Sequence, residues 1–193
     1  MPERWTVAAI AFYNADMRDI LYRVAILIAL WLAPPAFAAD DNYEMLLDAL
    51  SVAQDQSEAD QLSSQIWQYW LTAPDAAAQE VLDAALVRRQ AYDFLGAIDH
   101  LNRLIEGWPD YAEGWNQRAT MYFMRGEFEA SLEDVAHVLE LEPRHFGALS
   151  GKAVILFQQG KIPLAQIAVR EALKYHPFLH ERAILNANPG TDL

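Results

Sequence analysis

Apolar side chains recur at three- and four-residue steps along most of this chain, and at one fixed interval such a run is followed by a proline. Pro109 in EGWPDY, Pro143 in LELEPR and Pro177 in KYHPF lie 34 residues apart. Proline lacks a backbone N–H and pushes the residue before it out of the α conformation, so each is a helix stop. The same interval aligns Trp115 with Leu149 and Val81, Ala119 with Ala153 and Ala85, and Tyr122 with Leu156 and Arg88. Further along, Phe128 meets Ile162 and Phe94, Ser131 meets Ala165 and Ala97, and Val135 meets Val169 and Leu101. Each unit reads as helix, turn, helix over residues 78 to 109, 112 to 143 and 146 to 177.

The residue choices follow from packing two short antiparallel helices. Close approach needs small side chains at the crossing, and Ala85/Ala97, Ala119/Ser131 and Ala153/Ala165 supply them. Gly126 and Gly160 end the first helices where a left-handed backbone is cheapest for glycine. Tyr92-Asp93 takes that place in the first unit, which predicts a strained or differently shaped turn. One pair cannot bury both its faces, so neighbours must stack into a continuous core. Upstream, Leu46, Ala49, Leu50 and Ala53 share one helical face, and Leu62, Ile66, Tyr69 and Trp70 another, before Pro74. Residues 39–77 are therefore expected to form a degenerate fourth repeat. Residues 180–193 are expected to supply a short capping helix and a tail.

These features carry a resemblance. The chain resembles the tetratricopeptide repeat (TPR) family, whose 34-residue unit follows W-x2-L-G-x2-Y, then A-x3-F, then P. WNQRATMY, SLEDV and Pro143 match at Trp115, Tyr122 and Pro143, and depart at Arg118, Ala119, Ser131 and Val135; the third unit has Lys152 at the leucine position. The resemblance implies an all-α solenoid of antiparallel helix pairs wound as a right-handed superhelix, with repeats at 78–111, 112–145 and 146–179. It also implies a peptide-binding groove lined by the first helix of each pair. The matching positions are Arg89 and Gln90, then Asn116, Gln117, Thr120, Phe123 and Met124, then Ser150, Val154, Phe157 and Gln158. Phe123 and Phe157 are equivalent and would form an apolar ladder rimmed by amides. The family's clamp for acidic chaperone tails is missing, since Leu82, Leu86, Gln117, Gly147 and Gly151 stand at its positions, so an anionic tail is not the expected partner.

Composition narrows this further. With 27 acidic against 14 basic side chains the net charge is −13, which repels phosphate backbones and excludes nucleic acid as a partner. Cysteine is absent, excluding disulfides, thiolate catalysis and Cys-ligated zinc. Glu133, Asp134 and His137 share a helical turn but lack a second histidine at ligand spacing, and Pro177 separates His176 from His180. No phosphate-cradling glycine loop or GxSxG elbow occurs. The expectation is a non-catalytic adaptor without metal or cofactor that binds a protein or peptide. The other readings are a homodimeric, self-stacking solenoid, and an accessory subunit that meets a basic partner through an acidic convex face.

The N-terminal segment bears on location. Arg18 and Arg23 precede an apolar run from Val24 to Ala33, and Ala36-Phe37-Ala38 then places small residues where a signal peptidase reads. Residues 17–38 are expected to be a signal peptide cleaved after Ala38, with Met17 as initiator and residues 1–16 a start-site extension. A run this short does not reach the roughly 20 residues a bilayer core demands, which leaves an uncleaved anchor as the alternative and disfavours stable membrane insertion. The expected location is periplasmic or secreted.

Overall fold

The computed structural model describes residues 41–188, and the expected start-site extension, signal peptide and extreme tail lie outside them. Two helices, α1 (Asp41–Ser51) and α2 (Gln56–Trp70), come first. Three antiparallel pairs follow: α3 (Ala76–Gln90) with α4 (Phe94–Gly107), α5 (Ala112–Met124) with α6 (Phe128–Leu141), and α7 (Phe146–Gln158) with α8 (Ile162–Ala172). The last described element is a 3₁₀ helix, His180–Asn186. Among the described residues there is no strand, and no helix is long and apolar enough to cross a membrane.

The pairs close on their small residues. Ala85, Ala97, Ala119, Ser131, Ala153 and Ala165 are all buried, and the Ser131 hydroxyl donates to the Ala119 carbonyl across the crossing at 2.7 Å. α4 then stacks on α5, and α6 on α7. Where the family pattern has leucine, Arg118 reaches between pairs. It gives a bidentate contact to the buried Asp134 of α6 (2.8 and 2.7 Å) and a third bond to Asn102 of α4 (2.8 Å). That use of Asp134 removes it from the Glu133, Asp134, His137 trio, and His137 packs instead against Trp115 at 4.4 Å.

The turns within the pairs share one shape. Gly126 (φ 76°) and Gly160 (φ 71°) are left-handed, and so is Tyr92 (φ 59°), one repeat interval earlier. In all three the next amide reaches back to the same carbonyl position: Asp93 to Arg88, Glu127 to Tyr122 and Lys161 to Leu156, at 2.9–3.0 Å. Of the two expectations for the first turn, strain is the one realised. A β-carbon in that region costs about 1–2 kcal/mol, and the Tyr92 ring, largely exposed, has only an edge contact with Phe94 as its aromatic partner.

The first two helices depart from the expected fourth repeat. α1 and α2 are antiparallel and held together by aromatic side chains: the Trp70 indole donates to the Tyr43 hydroxyl at 2.8 Å, and Tyr43 and Tyr69 pack at 5.6 Å. α2 and α3 make almost no side-by-side contact, so α2 does not stack on the first repeat as α4 stacks on α5. The pair lies instead along the loops that join successive repeats. Tyr111 donates to the Trp70 carbonyl (2.6 Å), Tyr43 to Glu142 (2.8 Å), and Arg144 pairs with Glu44 and Asp48 (3.0 and 2.7 Å). Its core of Leu46, Leu47, Leu50, Ile66 and Trp70 is completed by Phe146, Tyr175, Phe178 and Leu179. The physical reason is shape: Trp67 and Trp70 of α2 stand one repeat interval before Leu101 and Leu104, and these larger planar side chains dock on His145 and Phe146. At the other end, Ile184 and Leu185 of the 3₁₀ helix cover the third pair.

Replacing Tyr92 with glycine is expected to raise stability by about 0.5–1 kcal/mol, whereas Gly126→Ala should lower it by about 1–2 kcal/mol. Urea denaturation of both variants measures the two shifts, and equal effects of the same sign would contradict the shared turn geometry.

Candidate functional site

A cavity of about 550 Å³ opens between α2 and the first helices of the second and third pairs. α5 contributes Asn116, Thr120 and Phe123, and α7 contributes Ser150, Gly151 and Val154. Gln56, Asp60, Ser63 and Trp67 of α2 form one wall, and residues 176 to 181 the other. Most of the surface is apolar with a few convergent hydroxyl and amide groups, the usual composition of a small binding pocket.

A buried polar chain supports this floor. Glu113 and His145 are 1% and 0% exposed, so their polar atoms must find partners inside the protein. The amide N–H of Ala148 donates to His145 Nδ1 at 3.1 Å, making the imidazole the N-cap of α7. With Nδ1 an acceptor, the ring proton sits on Nε2 and points at Glu113 Oε2, 3.1 Å away. The same carboxylate accepts from Asn116 Nδ2 (3.0 Å) and from Gln117 Nε2, and Gln117 Oε1 accepts from Arg89 Nη1 at 2.7 Å. The Glu113–His145 contact thereby locks the start of α5 to the start of α7, and Arg89 ties the end of α3 into the same network.

The same imidazole anchors the wall. Trp70 stacks flat on His145 with centroids 3.7 Å apart and planes 10° apart, and Trp67 meets both His145 and Phe146 edge-on at 5.7 and 5.8 Å. Gly147 makes room for this, since a β-carbon there would stand 2.7 Å from the Trp67 ring. On the opposite wall His176 is buried, accepts from the Phe178 amide at 3.3 Å and packs edge-on to Phe146. Burial pushes its pKa down, against the pull of the Asp60 and Glu181 carboxylates nearby.

The residues expected in the groove divide accordingly. Asn116, Thr120, Phe123 and Ser150 line the cavity, as does Val154. Arg89 and Gln117 are committed to the Glu113 chain beneath it. Met124, Gln90 and Gln158 are exposed and outside the lining. The expected phenylalanine ladder does not form: Phe123 faces the cavity and packs near Phe128, while Phe157 joins Ile184 and Leu185 under the 3₁₀ helix. The whole α2 wall and the His145–Glu113 pair escaped sequence reasoning. The one available signal was that Glu113 and Gly147 stand one repeat interval apart, a charged residue and a bare one at equivalent places on the floor. No group of three or more histidine and acidic side chains among the described residues is arranged to hold a metal ion.

Comparison with known proteins agrees with this architecture. A TPR repeat-containing protein of Rhizobium etli is 35% identical over 134 residues, covering 69% of this chain and 66% of the relative. A tetratricopeptide repeat protein 36 homolog of Nematostella vectensis is 34% identical over 76 residues, 39% of this chain and 41% of its own. The chain thus spans at most about two thirds of the length of these relatives. Among solved structures, the first TPR of Spaghetti (RPAP3) bound to the HSP90 peptide SRMEEVD superposes with a TM-score of 0.54. It covers 56% of this chain and 90% of that one at 19% identity, a likeness of fold alone. No family model matches the chain.

Removing the imidazole in His145→Ala should cost about 3 kcal/mol, because Glu113 loses its donor and Trp70 its platform. His145→Asn, which can still cap α7, should recover about 1 kcal/mol of that. Hydrogen exchange should show α1 and α2 losing protection first; uniform loss across the repeats would contradict the anchoring role.

The His176 shift has a definite sign. Its proton is bound more weakly in the folded chain than at the ordinary value of 6.5, so its contribution to stability is full above about pH 6.5 and declines as pH falls below it. The urea midpoint of the wild type should therefore drop more between pH 7.5 and about 5.5 than that of His176→Asn, whose oxygen can replace Nδ1 as acceptor. Parallel pH profiles would contradict this assignment.

Proposed function

We propose a protein-binding adaptor function from one premise: the chain belongs to the tetratricopeptide repeat family. The observation that carries the reading is the cavity on the first-helix face, where Phe123, Val154 and Trp67 offer apolar contact beside Asn116, Thr120 and Ser150. Such a surface takes a bulky side chain of a partner segment while hydroxyl and amide groups meet its backbone. In the Spaghetti domain the fold holds an HSP90 peptide, which supports this mode of use. That peptide, SRMEEVD, is acidic, and the cavity here has no lysine or arginine in its lining, so the mode carries over without that ligand. Glu113 and His145, the buried titratable pair beneath the floor, are committed to each other and to backbone and amide groups. A binding role fits this better than a catalytic one.

Residues 17–38 extend the proposal to the cell envelope, since their basic, apolar and small-residue parts follow the pattern of a secretory signal. N-terminal sequencing of the chain recovered from its cell tests that part directly, with an N-terminus after Ala38 expected.

Gly151 provides the test of the binding site. It lines the cavity, its backbone is helical, and a β-carbon there meets nothing within 4 Å. Gly151→Phe should fill the cavity and leave the fold intact, since leaving glycine also favours the helix. A photo-crosslinker at Thr120 is expected to trap a partner in the otherwise unaltered chain, with at least about a tenfold loss in Gly151→Phe, as burial of one apolar anchor is worth 1.5–3 kcal/mol. Equal trapping in both would move binding away from the cavity.

A further inference from the structure

The charges around the cavity are one-sided. Its ionised side chains are Asp60, on the α2 wall, and Glu181, on the facing wall, with no lysine or arginine in the lining. Asp60, His176 and Glu181 all line the same opening, and both carboxylates pull on the imidazole in the same direction. Neither belongs to any ion pair among the described residues, although eight such pairs are formed elsewhere. Asp60 is exposed, its side chain accepting from Gln56 at 2.7 Å within its own helix. His176, buried and with its pKa pushed down by desolvation, adds no positive charge at neutral pH. A cleft with low-dielectric walls and charge of one sign focuses its field outward and draws in the opposite sign. The chain as a whole, at −13, adds to that field.

If the cavity is the binding site, as the proposed function requires, its partner can be specified by class. We infer that it takes a basic protein segment in which one large apolar side chain enters between Trp67, Phe123 and Val154 while lysine or arginine residues on either side meet Asp60 and Glu181. The two walls make the arrangement selective. An acidic segment would bring its carboxylates against two fixed ones with no lysine or arginine in the lining to offset them, Arg182 standing outside it over the Phe178 ring at 6.0 Å, and like charges held together at an interface are strongly disfavoured. A purely apolar segment would fill the cavity and leave both carboxylates without a cationic partner.

The test selects a random-sequence peptide library on the immobilised full chain, with Gly151→Phe as the counter-selection that removes peptides bound elsewhere. Enriched peptides should carry a leucine, phenylalanine, tryptophan or methionine flanked by lysine or arginine. Their affinity, measured on the purified chain, should fall about two- to fivefold in each of Asp60→Asn and Glu181→Gln, the range of exposed charge pairs, and should weaken with added salt. Exchanging the lysines of an enriched peptide for glutamates should cost at least about tenfold. Enrichment of neutral or acidic peptides that still depend on Gly151 would overturn the charge assignment and leave the cavity as the binding site. If no enriched peptide distinguishes the wild type from Gly151→Phe, both the cavity and its partner class are overturned.

Discussion

The flat stack of Trp70 on His145 is the contact on which the rest of the site depends. It joins two segments far apart in sequence through one buried imidazole, of which one face and both nitrogens are used. One face carries the indole, one nitrogen ends a helix, and the other nitrogen meets a buried carboxylate. The carboxylate costs free energy to bury and is tolerable only because three donors converge on it. The same group therefore fixes the spacing of the repeats and the seat of the helix pair that walls the cavity. A change at His145 reaches both.

The repeat architecture was legible because it is local. Prolines at one interval, small residues at each crossing and glycines at two turns are short-range requirements, and the structure meets them at Ala119, Ser131, Gly126 and Gly160 as read. Even the exception at Tyr92 was visible, since a residue with a β-carbon stood where glycine belongs. The seat of α1 and α2 was not legible, because nothing in their periodicity distinguishes a helix that stacks on its neighbour from one that docks on distant loops. Leu62, Ile66, Tyr69 and Trp70 mark an apolar face and not its partner. The groove was half legible for the same reason. Asn116, Thr120, Phe123 and Ser150 follow from helix geometry, while Arg89 and Gln117 were drawn away by a carboxylate whose importance appears only in three dimensions.

The placement of α2 also changes what the fold can bind. An open stack of repeats presents a long surface that suits an extended chain lying along several helices. Here one helix stands over part of that surface, and the space left, about 550 Å³, is closer in scale to one or two side chains than to a whole helix. Under the proposed binding role, recognition rests on an anchor and its immediate flanks, and small changes in anchor size matter because a filled apolar pocket gains with each buried methylene until it clashes. The wall is held at both ends, by aromatic and polar contacts at Trp70 and, near Gln56, by Ala53 and Ala59, which are buried in the same core. A tight fit and a firmly seated wall are two expressions of the same contact between α2 and the repeats, and Tyr43 and His145, which secure Trp70, shape a pocket they do not line.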